Sequence, residues 1–197
     1  PGTGAHQLRV GMRARCAFGH RGFGLKGWVE MAEYQHIVQP FDPVFDRHSR
    51  TLVLGSFPSA LSRTNEFYYG NPRNRFWRVI AACLGEEVPG DHDLAAKRML
   101  LLRHGIALWD VIESCDIKGS SDASIRNVVP ARIECILEVA PIERVICNGA
   151  TSARLYKRHL EVQTGMRAVV LPSTSPANAA WSEGRLIECW REGLRAP

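Results

Sequence analysis

TLVLGS, residues 51–56, is the stretch that decides the fold. Its run of apolar side chains shows no alternation with polar ones and is too short for a buried helix. It reads as a strand covered on both faces, as in a parallel sheet. The same signature recurs in IALWDV (106–111), RVICNG (144–149) and AVVLPS (168–173). Helical patterns lie between these runs. NRFWRVIAACLG places Phe76, Val79, Ile80 and Cys83 on one face. LAAKRMLLLRHG closes on cations and Gly105, a good C-terminal stop. PARIECILEVA puts Pro130 at a first-turn position, and ATSARLYKRHL and RLIECWREGL are amphipathic. Strands alternating with helices predict a three-layer α/β/α sandwich with a short, mainly parallel sheet.

That architecture says where to look for function. Ligands of an open parallel sheet bind beyond the carboxyl ends of its strands. Four polar segments stand there: GSFPSALSRTNEFYYGNPRN, DVIESCDIKGSSDASIRN, NGATSA and PSTSPANAA. They are expected to converge on one site. Tight turns use the same residue types, but the first and last segments are too long and too unusual for that role. Within the first, YYGNPRNRFW combines aromatic rings, amides and cations before running into Phe76 and Trp77. Stacking a flat ring and gripping a phosphate requires all three.

Composition narrows the classes. The chain has 197 residues, 45% hydrophobic and 23% charged, which suits one domain with a sizeable core. No apolar run approaches the roughly 18 residues of a membrane span. The net charge of +5 is weak evidence for a nucleic-acid partner, because most of it sits in residues 1–30. That glycine-rich stretch reads as a flexible basic extension, non-native or upstream of a start at Met31, and residues 31–197 as a single domain. The six cysteines include no CxxC pair, so neither zinc nor iron–sulfur ligation is expected, and reduced thiols suit an intracellular protein.

Several chemistries have no matching motif. GSFPSA lacks the glycines of a dinucleotide loop, and there is no P-loop lysine pattern. None of the seven histidines falls in the four strand-end segments. The site is therefore expected to work by amides, backbone donors and substrate electrostatics, with no metal or cofactor.

GSFPS, YYGNPRNRFW and LPSTSPANAA together resemble the motifs of the uracil-DNA glycosylase superfamily, and most closely its hypoxanthine-DNA (deoxyinosine) glycosylase branch. The resemblance runs from about Phe41 to Leu194. It implies a monofunctional glycosylase of base-excision repair that flips a deaminated base out of DNA and hydrolyses its N-glycosidic bond. The reaction needs donors aimed at the leaving base and a placed water more than a strong nucleophile. The alternatives are a uracil or mismatch glycosylase on the same fold, or a non-catalytic DNA-binding relative. The implied partner is damaged double- or single-stranded DNA, bound by a monomer inside the cell with no membrane attachment.

Roles carried over by the resemblance fall on Gly55, Ser56, Phe57, Tyr69 and Asp110 for the base, and on Asn74 for catalysis. The uracil-specific members carry Gly-Gln-Asp-Pro-Tyr and the mismatch-specific ones Gly-Ile-Asn-Pro-Gly at the first motif, where the third residue aligns a water. That residue is Phe57 here, and a phenyl ring cannot hold a water strongly. Asn71–Trp77 resemble the His-Pro-Ala-Asn-Arg-Phe-Trp string of the mismatch-specific members. Asn74 becomes the expected water-positioning group, able to accept from a water and donate to it, with a helix N-cap as its alternative role. Tyr69 corresponds to the aromatic under the flipped base, with core packing as its alternative. Asp110 stands where uracil-specific members read the base, and an ionised carboxylate there accepts the N1–H of hypoxanthine, or else braces its loop. Ser59, Arg73, Arg75, Ser173, Ser175, Pro176, Ala177 and Asn178 are the expected DNA contacts. Pro176 and Ala177 sit at the position of the minor-groove wedge. Leu171 replaces the histidine that opens this loop in uracil-specific members.

Overall fold

Each apolar run becomes a strand because helices cover the sheet that it joins. The computed structural model describes residues 33–195. In chain order the elements are β1 (Gln35–Val38), β2 (Thr51–Gly55), α1 (Ala60–Thr64), α2 (Phe76–Leu84), α3 (Leu94–Arg103), β3 (Ile106–Asp110), β4 (Ile112–Ile117), a 3-10 turn (Asp122–Ser124), β5 (Arg126–Pro130), α4 (Glu134–Leu137), β6 (Arg144–Asn148), α5 (Ala150–His159), α6 (Glu161–Thr164), β7 (Val169–Leu171) and α7 (Glu183–Arg195). The extension expected at residues 1–30 lies outside the described residues.

The main sheet has strand order β3-β2-β6-β7, and every pair in it is parallel. Its central strand carries Leu52, Val53 and Leu54, all fully buried. Helices α2 and α7 pack on one another, with the Phe76 ring edge-on to Trp190 at 6.0 Å. The indole N–H of Trp190 donates to the Pro172 carbonyl at 3.0 Å, which fixes the chain as it leaves β7. Helix α5 packs on β6 and β7, and its Ser152 hydroxyl donates to the Leu54 carbonyl at 2.7 Å. Leu171 is core: its side chain lies against Gly193 of α7.

Two expectations need correction. The second strand-end segment is not a loop throughout. Residues 112–117 form β4, which pairs antiparallel with β1 and β5 in a second, three-stranded sheet. A strand buried on one face shows only interrupted apolar character, here broken by Glu113, Ser114 and Asp116, and so gives a weaker signal than a strand buried on both faces. Pro130 does not open a helix either. It ends β5 opposite Ile112, at the edge of the small sheet, where no ladder N–H is required of it. Helix α4 is a single turn that starts only at Glu134. Cys115 and Cys147 are buried, Cys135 is exposed, and all five described cysteines are free thiols. Among the described residues no helix is long and apolar enough to cross a membrane.

Trp190 joins α7, α2 and the exit of β7, so its loss should be felt across the helix layer. Trp190→Ala is expected to destabilise the protein by about 3–5 kcal/mol, read as a lower urea midpoint. A midpoint equal to that of the parent protein would contradict this packing.

Candidate active site

The four strand-end segments do meet. They line a cleft of about 540 Å³ at the carboxyl edge of the main sheet. Residues 55–59 with Ser62 supply one wall, and Tyr68, Tyr69 and Asn74 another. Asp110, Ser120, Ser121 and Asp122 supply a third, and Asn148 with residues 173–175, Ala177 and Asn178 the last. Of the expected site residues, only Arg73, Arg75 and Pro176 are not among the lining.

Gly55 is needed for a spatial reason. A β-carbon there would stand 2.2 Å from Asp110 Oδ1 and 3.1 Å from the Tyr69 hydroxyl. The absent side chain lets the Asp110 carboxyl lie across the end of β2. Gly149 serves similarly between β6 and α5. Its φ is +100°, and a β-carbon would meet the Ser173 side chain at 2.8 Å.

A buried threonine ties the walls together. Thr174 is fully buried. Its N–H donates to Asn148 Oδ1 at 3.0 Å, and its hydroxyl accepts from Asn148 Nδ2 at 3.0 Å. The same hydroxyl donates to Asn74 Oδ1 at 2.9 Å. Asn148 Nδ2 also donates to the Tyr69 hydroxyl at 3.0 Å. Tyr69 in turn lies flat on Phe76, ring centroids 3.9 Å apart and planes 20° from parallel. Its φ of +53° is rare for a bulky side chain, a strained backbone of the kind concentrated at functional sites.

This network sharpens the expectation for Asn74. Its Oδ1 accepts from the Phe76 N–H at 3.0 Å as well as from Thr174. The backbone donor fixes which end of the amide is oxygen. Both lone pairs of the oxygen are thus engaged, and the amide cannot also accept from a water. Nδ2 makes no hydrogen bond among the described residues and remains a donor on the cleft wall. Of the two roles weighed for Asn74, the bracing one is visible: its oxygen holds the start of α2, and its NH2 group is left as a donor.

One further expectation is corrected. Arg75 does not face a phosphate. Its guanidinium donates to the carbonyls of Thr174 (3.3 Å), Ser175 (2.7 Å), Asn178 (3.1 Å) and Trp181, stapling the last loop to the start of α2. Ser59 is the N-cap of α1, its Oγ accepting from the Ser62 N–H at 3.2 Å. Asn178 partly shares this fate, donating to the Ser173 carbonyl at 2.9 Å. Arg73 is exposed beside the cleft, and Pro176 and Ala177 form an exposed tip, as a wedge requires.

Two carboxyl groups face the cleft. Asp110, 4% exposed, accepts from Gln39 Nε2 at 2.6 Å through Oδ2, while Oδ1 has no donor among the described residues. Burial pushes the Asp110 carboxyl up to about 7, the Gln39 bond opposing and nearby Asp122 adding to the rise. Burial also raises Asp122, offset by the Ser56 hydroxyl donating to its Oδ2 at 3.0 Å and by Arg154. Burial, then Asp110, raises the Tyr69 phenol, so it stays a neutral donor. Among the described residues no histidine lines the cleft.

Asn148, Thr174, Asp122 and Gln39 were missed from sequence. A signal existed for Asn148, a polar residue closing an apolar strand before glycine. Asp122 and Gln39 had none, because their placement depends on the unrecognised small sheet.

A parallel sheet whose carboxyl edge holds a cleft built of amides, hydroxyls and a stacked tyrosine defines a base-handling α/β enzyme. The chain belongs to the uracil DNA glycosylase superfamily, whose family model matches residues 43–193. That membership makes it a DNA glycosylase. It is 36% identical over 161 residues to a hypoxanthine DNA glycosylase of Methanosarcina acetivorans, covering 81% of this chain and 99% of that protein. It is 32% identical over 141 residues to a hypoxanthine DNA glycosylase of Methanosarcina barkeri, covering 71% and 87%. The solution NMR structure of a candidate uracil DNA glycosylase from Methanosarcina acetivorans superimposes with a TM-score of 0.66 at 32% identity, covering 81% of this chain and 98% of that one.

The Asp110 carboxyl has a consequence for stability. In the unfolded chain it ionises near 3.8, in the folded one near 7. Between those values the folded state holds a proton that the unfolded state has lost. The contribution is therefore full at low pH and is lost as pH rises to about 7. Asp110→Asn, which has no proton to lose, should raise Tm relative to the parent protein more at about pH 8 than at about pH 5. An equal shift at both would contradict the burial of an ionising group there.

Proposed function

We propose that this chain excises hypoxanthine from deoxyinosine in DNA, leaving an abasic site. The observation that carries the substrate is Asp110: a carboxyl buried beside Gly55, whose Oδ1 lacks a donor among the described residues and which, once ionised, only accepts. Hypoxanthine offers an N1–H to that oxygen, whereas adenine offers a bare N1 lone pair that it repels. The names of the two Methanosarcina relatives support the same substrate. The working unit is read as a monomer acting inside the cell on a nucleotide flipped from double- or single-stranded DNA.

The chemistry follows from the walls. The flipped base enters between Phe57 and Tyr69, and Tyr69 is braced from behind by Phe76. Breaking the N-glycosidic bond sends its electron pair to the base and leaves positive charge on the sugar. Water then bonds to C1′, and its proton ends on the departed base. Asn74 Nδ2 serves this step as a donor, orienting the water or the developing charge on the base. It is held for that task by Phe76 N–H and Thr174, so little reorganisation is needed. Phe57 excludes bulk water and leaves water placement to the amide. Arg73 and the hydroxyls of Ser173 and Ser175 take phosphates, and Pro176 and Ala177 press into the gap left by the base.

The direct test is release of base from oligonucleotides holding deoxyinosine, uracil or thymine opposite each partner. Deoxyinosine is expected to be cleaved fastest, and preference for uracil or thymine would overturn the substrate. Asn74→Ala should lower single-turnover excision by roughly 10²-fold or more, with binding to damaged duplex far less affected. Near-parental turnover would leave Asn74 as a brace only.

Asp110 should set both rate and pH profile. If its carboxylate reads N1–H, kcat/KM on deoxyinosine rises with pH through about 7 as the carboxylate forms. Asp110→Asn keeps an acceptor without charge and loses about 1–2 kcal/mol, with a flat profile through this range. Asp110→Leu strands the N1–H in a dry pocket and loses more. Retained activity in Asp110→Leu would remove Asp110 from base reading.

A further inference from the structure

The small antiparallel sheet ends in a charged surface that the cleft itself does not use. Tyr34, 37% exposed, precedes β1 and stands opposite Lys118 by the pairing of Gln35 with Ile117. The Arg126 guanidinium carbon lies 3.3 Å from the centre of the Tyr34 ring, and Lys118 Nζ lies 4.7 Å from it. His36 adjoins them on the same sheet. The carboxylate among these groups is Asp116, already shared by His36 Nδ1 at 2.9 Å, Asn127 Nδ2 at 2.6 Å and, at 3.8 Å, Arg126 Nε. Lys118 has no ion pair among the described residues. Among the contacts of the described residues, two cations share one ring while Asp116 is divided among several partners, with Glu33 next to Tyr34 in the chain.

The position of this patch fixes what it meets. Ile117 lines the cleft, and so do Ser120, Ser121 and Asp122 on the far side of Lys118. The Ser120 hydroxyl accepts from the Ala60 N–H at 2.8 Å, which holds the turn against the first wall. Lys118 thus lies within two residues of the lining in the chain, its ammonium turned to the outer face of the sheet beside Tyr34. Successive nucleotides of one strand advance only about 3.4 Å along the duplex axis. A strand whose nucleotide occupies the cleft therefore has flanking phosphates within a few residues' reach of its walls.

We propose that Tyr34, Lys118 and Arg126 form a second DNA contact, binding backbone phosphates of the strand next to the extruded nucleotide. The proposal rests on the reading that this cleft receives a flipped nucleotide. The ring orders both cations by cation–π contact, so less side-chain freedom is lost when a phosphate arrives. The contact is to the backbone and carries no preference for base. It supplies affinity on the side of the cleft opposite the Pro176 tip loop, where Arg75 is committed to carbonyls.

The test is binding of a labelled undamaged duplex between about 50 and 200 mM salt. Lys118→Gln/Arg126→Gln keeps the stems and removes both charges. Its slope of log affinity against log salt is expected to be shallower by about 1.8, roughly 0.9 for each phosphate that is no longer neutralised. Lys118→Gln alone, which breaks no ion pair, should show about half of that change and keep the parental Tm. Single-turnover excision at saturating enzyme should stay within about twofold, since none of the three residues lines the cleft. An unchanged slope in both variants would overturn the proposal, as would a slope that is intact while saturated excision falls. Failure of the parent protein to release hypoxanthine would sink the substrate reading alone, because the salt slope uses DNA without that base.

Discussion

A guanidinium holding backbone carbonyls organises the site. Arg75 reaches the carbonyls of Thr174, Ser175, Asn178 and Trp181, and its own N–H donates to Thr174 as well. Without those donors, the polar loop between β7 and α7 would carry unpaired carbonyls near a dry cleft. With them, the loop has one conformation, and Thr174 is buried where it can reach Asn148 and Asn74. Three features of the cleft descend from that fixed loop: the placement of the Asn74 amide, the hydroxyl of Tyr69 reached through Asn148, and the exposed tip at Pro176 and Ala177. Lysine could not replace Arg75, since a single ammonium cannot span four separated acceptors.

The electrostatics of the cleft look unfavourable for a polyanion, with Asp110 and Asp122 close together and no cation among the lining residues. Burial resolves the conflict. It raises both carboxyls, Asp110 to about 7, so below that pH the empty pocket carries less negative charge than two free carboxylates would. In the reading proposed above, charge attraction for the phosphates falls to Arg73 and to the Tyr34–Lys118–Arg126 surface, outside the cleft lining. That reading separates base selection from DNA attraction in space, so each acts without weakening the other.

Departures from related motifs become intelligible in this setting. Phe57 occupies the position where other members carry a water-aligning side chain, and Leu171 is turned into the core against Gly193. In the proposed reaction their work passes to Asn74, which the fold holds by its oxygen and whose nitrogen has no partner among the described residues. A donor-only amide suits a reaction dominated by departure of the base, in which stabilising negative charge matters more than deprotonating water.

The sequence by itself determined the parallel sheet, because β2, β3, β6 and β7 are apolar runs and a strand covered on both faces is legible without context. It also determined the class of site, since Gly55, Tyr69, Asn74, Asp110 and the serines of the last loop stand in one-dimensional motifs at strand ends. Tertiary structure alone decided what those groups are free to do. Arg75 reads as a phosphate ligand in one dimension and becomes a loop staple only when Thr174, far along the chain, arrives beside it. Asn74 could accept or donate until Phe76 N–H and Thr174 occupied its oxygen. Asp122, Gln39 and the Tyr34 surface were invisible because the small sheet that positions them is half exposed, and its pairing with β1 links residues 80 positions apart. Local pattern records which faces are buried; hydrogen-bond occupancy is a property of partners brought together by folding, and no single segment carries it.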